Sequence, residues 1–142
     1  MRIGFGQEVY SFIEPKSERL FSNVTLIKED NRRSEQTIHI IASVHSPSSG
    51  LRAATLRTPT TTTYDYRLST PGSSRTLIFP PDAQSIALPI FINSDDFLEG
   101  IEAFEARIIP LSFFPSFQPP VSGSLFQNTE IRIIDDDCEL FY

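Results

Sequence analysis

Apolar and polar residues alternate with a period of two along most of this chain. Val24, Leu26 and Lys28 alternate against Thr25 and Ile27, and Ala103, Glu105 and Arg107 alternate against Phe104, Ala106 and Ile108. A period of two is the signature of a half-buried β-strand, and no helical period competes with it. The pattern predicts a first strand over residues 3–13, interrupted by Gly6-Gln7-Glu8 and ended by Glu14-Pro15. Further strands follow over 20–28, 37–44, 75–79, 85–92, 102–109 and 126–134, with a short one opened by Tyr64-Asp65-Tyr66. Ala53-Ala54-Thr55-Leu56 is a candidate edge within the polar stretch from His45 to Thr63. Pro89 cannot donate to a ladder, so it predicts an edge or a bulge in its strand. About seven strands, separated by Pro, Ser, Asn and Asp, fit an all-β, immunoglobulin-like antiparallel β-sandwich.

Composition narrows the picture. The 142 residues suffice for one domain with a real core, spanning 1–142. No long apolar run predicts a transmembrane span or direct membrane insertion. The net charge of −6 makes nucleic acid an unsuitable partner and a cation a natural one. Cys138 is the single cysteine, which excludes an internal disulfide and a cysteine-based metal site. No charged-then-apolar leader is visible at Met1-Arg2-Ile3-Gly4-Phe5, and the tight fit of strands to the chain suggests one module of a longer protein. Asn23-Val24-Thr25 matches the N-glycosylation acceptor pattern and hints at an extracellular or cell-surface setting.

The last strand, Ile131-Arg132-Ile133-Ile134, stops at three consecutive carboxylates, Asp135, Asp136 and Asp137. Alone, such a run is usually a solvated charged tail. Other acids change that reading. If successive strands reverse direction in an up-and-down sandwich, the ends of the first, third, fifth and seventh share one pole. Glu14 follows the first, Asp95, Asp96 and Glu99 follow the fifth, and Asp135, Asp136 and Asp137 follow the seventh. Their mutual repulsion would cost stability unless a cation screened it. An oxygen-only donor set suits Ca²⁺, which takes about six to eight oxygens.

In order, these parts are Tyr10-Ser11-Phe12-Ile13-Glu14, Tyr64-Asp65-Tyr66, Asp95-Asp96-Phe97-Leu98-Glu99-Gly100-Ile101-Glu102-Ala103-Phe104 and Ile133-Ile134-Asp135-Asp136-Asp137. Their order and spacing resemble the Calx-beta domain over nearly the whole chain. The resemblance implies an immunoglobulin-like sandwich that binds Ca²⁺ at one pole. It implies Glu14, Asp95, Glu99, Asp135, Asp136 and Asp137 as ligands, with a backbone carbonyl near Phe97; Asp96 competes with Asp95 to face the ion. The family occurs in sodium–calcium exchangers and as tandem extracellular repeats in matrix and adhesion proteins. The expected partners are therefore calcium ions, neighbouring domains of the same chain and adhesion partners. Two departures thin the ligand set. Arg57-Thr58-Pro59-Thr60 stands where the family carries an Asp-Gly-Thr-Ala segment, and Ser94 replaces an acid before Asp95. One or two ions are expected.

Several residues are read structurally. Glu102 is assigned a structural or solvent-facing role, and Asp65 a turn in which it accepts from backbone amides. His39 and His45 have no nucleophile beside them, and are read as packing or surface residues. The rival reading is a metal-independent interaction module acting through the Thr-rich loop or the Phe-rich loop Leu111-Ser112-Phe113-Phe114-Pro115-Ser116-Phe117. An enzyme is the third reading. A glycosidase needs an isolated carboxylate pair flanking a cleft, whereas these acids cluster, so no catalytic activity is expected.

Overall fold

The computed structural model describes residues 2–29, 37–61, 63–81, 83–94, 100–110 and 125–134. All regular structure there is β. The strands are β1 (Arg2–Phe5), β2 (Val9–Ile13), β3 (Arg19–Phe21), β4 (Thr25–Glu29), β5 (Ile38–His45), β6 (Arg52–Ala53), β7 (Tyr66–Leu68), β8 (Ser74–Phe79), β9 (Ser85–Ala87), β10 (Ile90–Ile92), β11 (Ile101–Pro110) and β12 (Asn128–Ile134). They form a β-sandwich. One layer is a six-stranded sheet, β2-β12-β11-β5-β8, with β6 on β11; the other comprises β1-β4-β9 and β3-β10-β7.

The described residues hold twelve strands against about seven expected, because three sequence runs each divide between sheets and the short segments β6 and β7 also pair. The first run divides at Gly6, so β1 joins β4 while β2 crosses to lie parallel to β12. A Cβ at Gly6 would lie 2.9 Å from Ile27 Cδ1, so the bend brings the backbone close to β4. The run over 20–28 divides into β3 and β4. The run over 85–92 divides at Leu88-Pro89, where the missing amide ends one ladder and the chain enters the next. Pro89 thus marks a transfer between sheets: β9 pairs with β4, and β10 is the middle strand between β3 and β7. The expected edge within 53–56 is present as β6 and an isolated bridge from Leu56 to Tyr66.

The inward positions of both layers meet in one core containing Phe5, Leu26, Ile40, Ile90, Phe104 and Ile131, each fully buried. Burying side chains of this size contributes about 1.5–3 kcal/mol apiece before chain entropy is charged against it. Tyr66 and Phe104 stack across the layers, and Arg67 lies over Phe91 on the outer face of the small sheet.

Candidate metal centre

The pole at which the expected ligands would gather is set by the register of the strands that lead to it. β2 and β12 run parallel with Ile13 opposite Ile134, and β11 runs antiparallel with Ile101 opposite Ile134. The ends of β2 and β12 and the start of β11 therefore coincide. The Glu14 amide donates to the Ile134 carbonyl at 2.8 Å, carrying the pairing one residue beyond the strand. β5 also runs towards this end, with His45 opposite Glu105. In the other layer β10 ends with Ile92 opposite Tyr66. The Tyr66 ring stacks on Phe104, three residues from the start of β11, which sets the end of β10 over the same pole. The strand order is not sequential, so the up-and-down path expected from the sequence is replaced by crossovers. The four strand ends still share one pole, because each crossover preserves the polarity that the argument required.

Glu14 is 8% exposed. The alternation of β2 explains its burial: Tyr10 and Phe12 face the core, and Glu14 continues that face. Asp95, Asp96, Glu99, Asp135, Asp136 and Asp137 lie outside the described residues, as do Cys138 and the Phe-rich loop. Among the described residues, no three His, Cys, Asp or Glu side chains come close enough to hold a metal ion. Glu14 is thus the one expected ligand that the structure locates, and it stands where the chain leads on to Asp135.

Of the two roles expected for Glu102, structural or solvent-facing, its burial excludes the second. It is 6% exposed and shares the inward face of β11 with Phe104, Ala106 and Ile108. Its in-register neighbours are Ile133 on β12 and Arg52 on β6. Two glutamates therefore enter the interior at one end of one sheet. Carboxylate oxygens are the donors that a hard cation takes, and Arg52 brings a fixed positive charge into register with Glu102. The signal was available in the sequence: Glu102 has the parity of Phe104.

Asp65 has the structural role expected of it. Its Oδ2 accepts from the Thr55 amide at 2.6 Å, while its own amide donates to the Thr55 carbonyl at 2.8 Å. Its carbonyl accepts from the Asn93 amide at 2.9 Å, and Asn93 Nδ2 donates to the Tyr64 carbonyl at 3.1 Å. This clasp fixes the segment that leaves β10 for the acidic loop. His45 Nε2 and Ser43 Oγ are 2.8 Å apart on the exposed sheet face, which matches a surface role.

No family model matches the chain, and no curated protein matches it. Solved structures do. The apo form of the Calx CBD1 domain aligns with a TM-score of 0.63 at 20% identity, covering 96% of this chain and 97% of that one. The Calx CBD2 domain aligns with a TM-score of 0.61 at 12% identity, covering 99% and 94%. The calcium binding domain CBD12 of CALX1.1 aligns with a TM-score of 0.64 at 18% identity, covering 96% of this chain and 47% of that one. The chain therefore has the fold of the Calx CBD domains. It spans a whole single domain and just under half of CBD12.

Proposed function

We propose that this chain is a noncatalytic calcium-binding module. In this reading Glu14, Asp95, Asp96, Glu99, Asp135, Asp136 and Asp137 supply the acidic pole, and Glu102 adds a buried carboxylate to it. The observation that carries the proposal is the junction of β2 and β12: Glu14 is buried and hydrogen-bonded through its amide to Ile134, the residue preceding Asp135. The fold shared with domains described as calcium binding supports the reading. A bound Ca²⁺ would supply the positive charge that lets clustered carboxylates sit together. The protein's own part is to hold Glu14, just past β2, and Glu102, on β11, on either side of β12, so that their positions are set before any ion arrives.

The module works within a larger adhesion, matrix or membrane-associated protein, with a neighbouring domain as its immediate partner. Asn23, exposed between β3 and β4, heads an acceptor triplet that supports an extracellular or cell-surface setting. Calcium would stiffen the pole at which one module meets the next.

A thermal melt in excess EGTA and in millimolar Ca²⁺, with Mg²⁺ as control, tests the proposal. A ligand present at about a hundred times its dissociation constant adds roughly 2.7 kcal/mol. A Ca²⁺-selective rise of several degrees that disappears in Asp136→Ala is the expected result. Identical melts in EGTA and Ca²⁺ would reject the metal and leave the metal-independent interaction module.

A further inference from the structure

A second candidate site lies away from the acidic pole. A cavity of about 400 Å³ opens between the Thr58–Thr61 turn and the Ser69–Gly72 turn, with Arg57 and Arg67 in its walls. No carboxylate lines it among the described residues, although the chain as a whole carries a charge of −6. The cavity is therefore a cationic recess on an acidic protein.

Both guanidinium groups are held by neighbours outside the cavity. Arg67 lies 3.8 Å from the Phe91 ring centroid. Glu18 accepts from its Nε at 3.2 Å and its Nη2 at 2.9 Å, engaging two of its three nitrogens. Arg57 lies over the Tyr64 ring at 5.4 Å, and the Tyr64 hydroxyl donates to the same Glu18. One carboxylate thus organises both arginines while neutralising only one charge. The hydrogen bonds from Arg67 and Tyr64 outweigh burial and hold the Glu18 carboxyl below the ordinary glutamate value. A third arginine, Arg75, donates from Nη1 to Ser69 Oγ, which leaves the Ser69 proton to donate elsewhere. The Thr58 turn is closed by its own bonds, Thr61 Oγ1 to the Thr58 carbonyl at 2.9 Å and the Thr58 amide to Thr61 Oγ1 at 2.8 Å.

We propose that this cavity binds a sulfate or phosphate monoester carried on a sugar-sized molecule. Guanidinium groups match the geometry of such oxyanions and stay charged. Side-chain hydroxyls add donors and can meet sugar hydroxyls. The volume lies within the range of small-ligand sites. Pre-positioning by Phe91, Tyr64 and Glu18 lowers the ordering cost of binding. Nothing in this site depends on calcium.

The test is a titration of the whole chain in EGTA with glucose 6-sulfate and, separately, glucose 6-phosphate. Amide ¹H–¹⁵N shifts of Thr58, Thr61, Ser69, Thr70 and Gly72 are followed. Glucose, and sodium chloride at matched ionic strength, are the controls. At least one monoester should give saturable shifts centred on these residues, and the tighter of the two identifies the esterified group. Loss of a charge-assisted contact in Arg57→Gln should weaken binding by about tenfold or more, with Arg57→Lys weakened less. Arg57→Gln leaves the Glu18–Arg67 pair in place, and an unchanged amide dispersion checks its fold. Ser69→Ala, at an exposed turn, gives a second variant with a smaller expected loss. Shifts that do not saturate, that are matched by chloride or glucose, or that persist undiminished in Arg57→Gln and Ser69→Ala would overturn the proposal.

Discussion

The rings of Tyr66 and Phe104 stack with centroids 3.7 Å apart and planes 4° from parallel, joining the small sheet to the large one close to Glu102. Tyr66 is opposite Ile92, where the chain leaves β10, and Phe104 is two residues from Glu102. Burial, with the Asp65 charge adding to it, pushes the Tyr66 phenol above its ordinary value, so the ring remains neutral. The stack sets the spacing between the start of β7 and the start of β11. Phe104→Ala should cost about 3–5 kcal/mol, read as a lower urea midpoint. The loss should be larger than that of Phe91→Ala, whose ring faces outward and is half-buried.

Asp65 and Glu102 should separate structure from calcium response. Asp65 is committed to the Thr55 amide, so Asp65→Ala should lower the melting temperature by removing a hydrogen bond worth about 1–2 kcal/mol. The rise caused by Ca²⁺ should survive in that variant. Glu14→Gln and Glu102→Gln keep the shape of the side chain and remove charge at the pole. Both should reduce the Ca²⁺-dependent rise in a paired melt with and without EGTA. A full rise in Glu102→Gln would confine its role to packing.

Acid should destabilise the domain through two exposed-face networks. Arg67 and Tyr64 hold Glu18 below the ordinary glutamate value of 4.5. For Glu130 burial pushes upward, but hydrogen bonds from Ser49 and Arg132 outweigh it and leave the carboxyl lowered. The unfolded chain then binds these protons more readily than the folded one. The stabilisation is complete above pH 4.5, the unfolded value, and is lost as pH falls through the folded values. Melting temperatures recorded from pH 7 downwards should fall in that window, and Glu18→Gln should flatten part of the fall. An unchanged pH profile in Glu18→Gln would remove Glu18 from this account.

Gly100 has φ +73° immediately before β11. A Cβ there meets nothing within 4 Å, so the cost of a side chain is torsional. Gly100→Ala should destabilise by about 1–2 kcal/mol, roughly 2–8 °C for a chain of this size. Gly100→Asn should recover part of the loss, because asparagine tolerates the left-handed region. Equal melts for the glycine and alanine forms would show that the turn relaxes without it.

The sequence by itself determined that this is a β-sandwich and where its strands lie, because a period of two exposes which face of each run is apolar. It also identified the pole, since strand polarity alone carries Ile13, His45, Ile92 and Ile134 to one end. A structural role for Asp65 was legible because aspartate readily accepts from backbone amides, although its partner, the Thr55 amide ten residues away, was not. The division of three runs between sheets was decided by tertiary structure. Gly6 and Pro89 announce a break, but which ladder the chain joins afterwards depends on partners up to 121 residues away, as in the pairing of Val9 with Glu130. The choice between a structural and a solvent-facing Glu102 was also left to the fold, because local pattern reports parity without saying how deep the opposite layer covers that end. The arginine-lined cavity was invisible for the same reason. Arg57, Arg67 and Glu18 are scattered in the chain, and only the packing of β3, β7 and β10 brings their charges together.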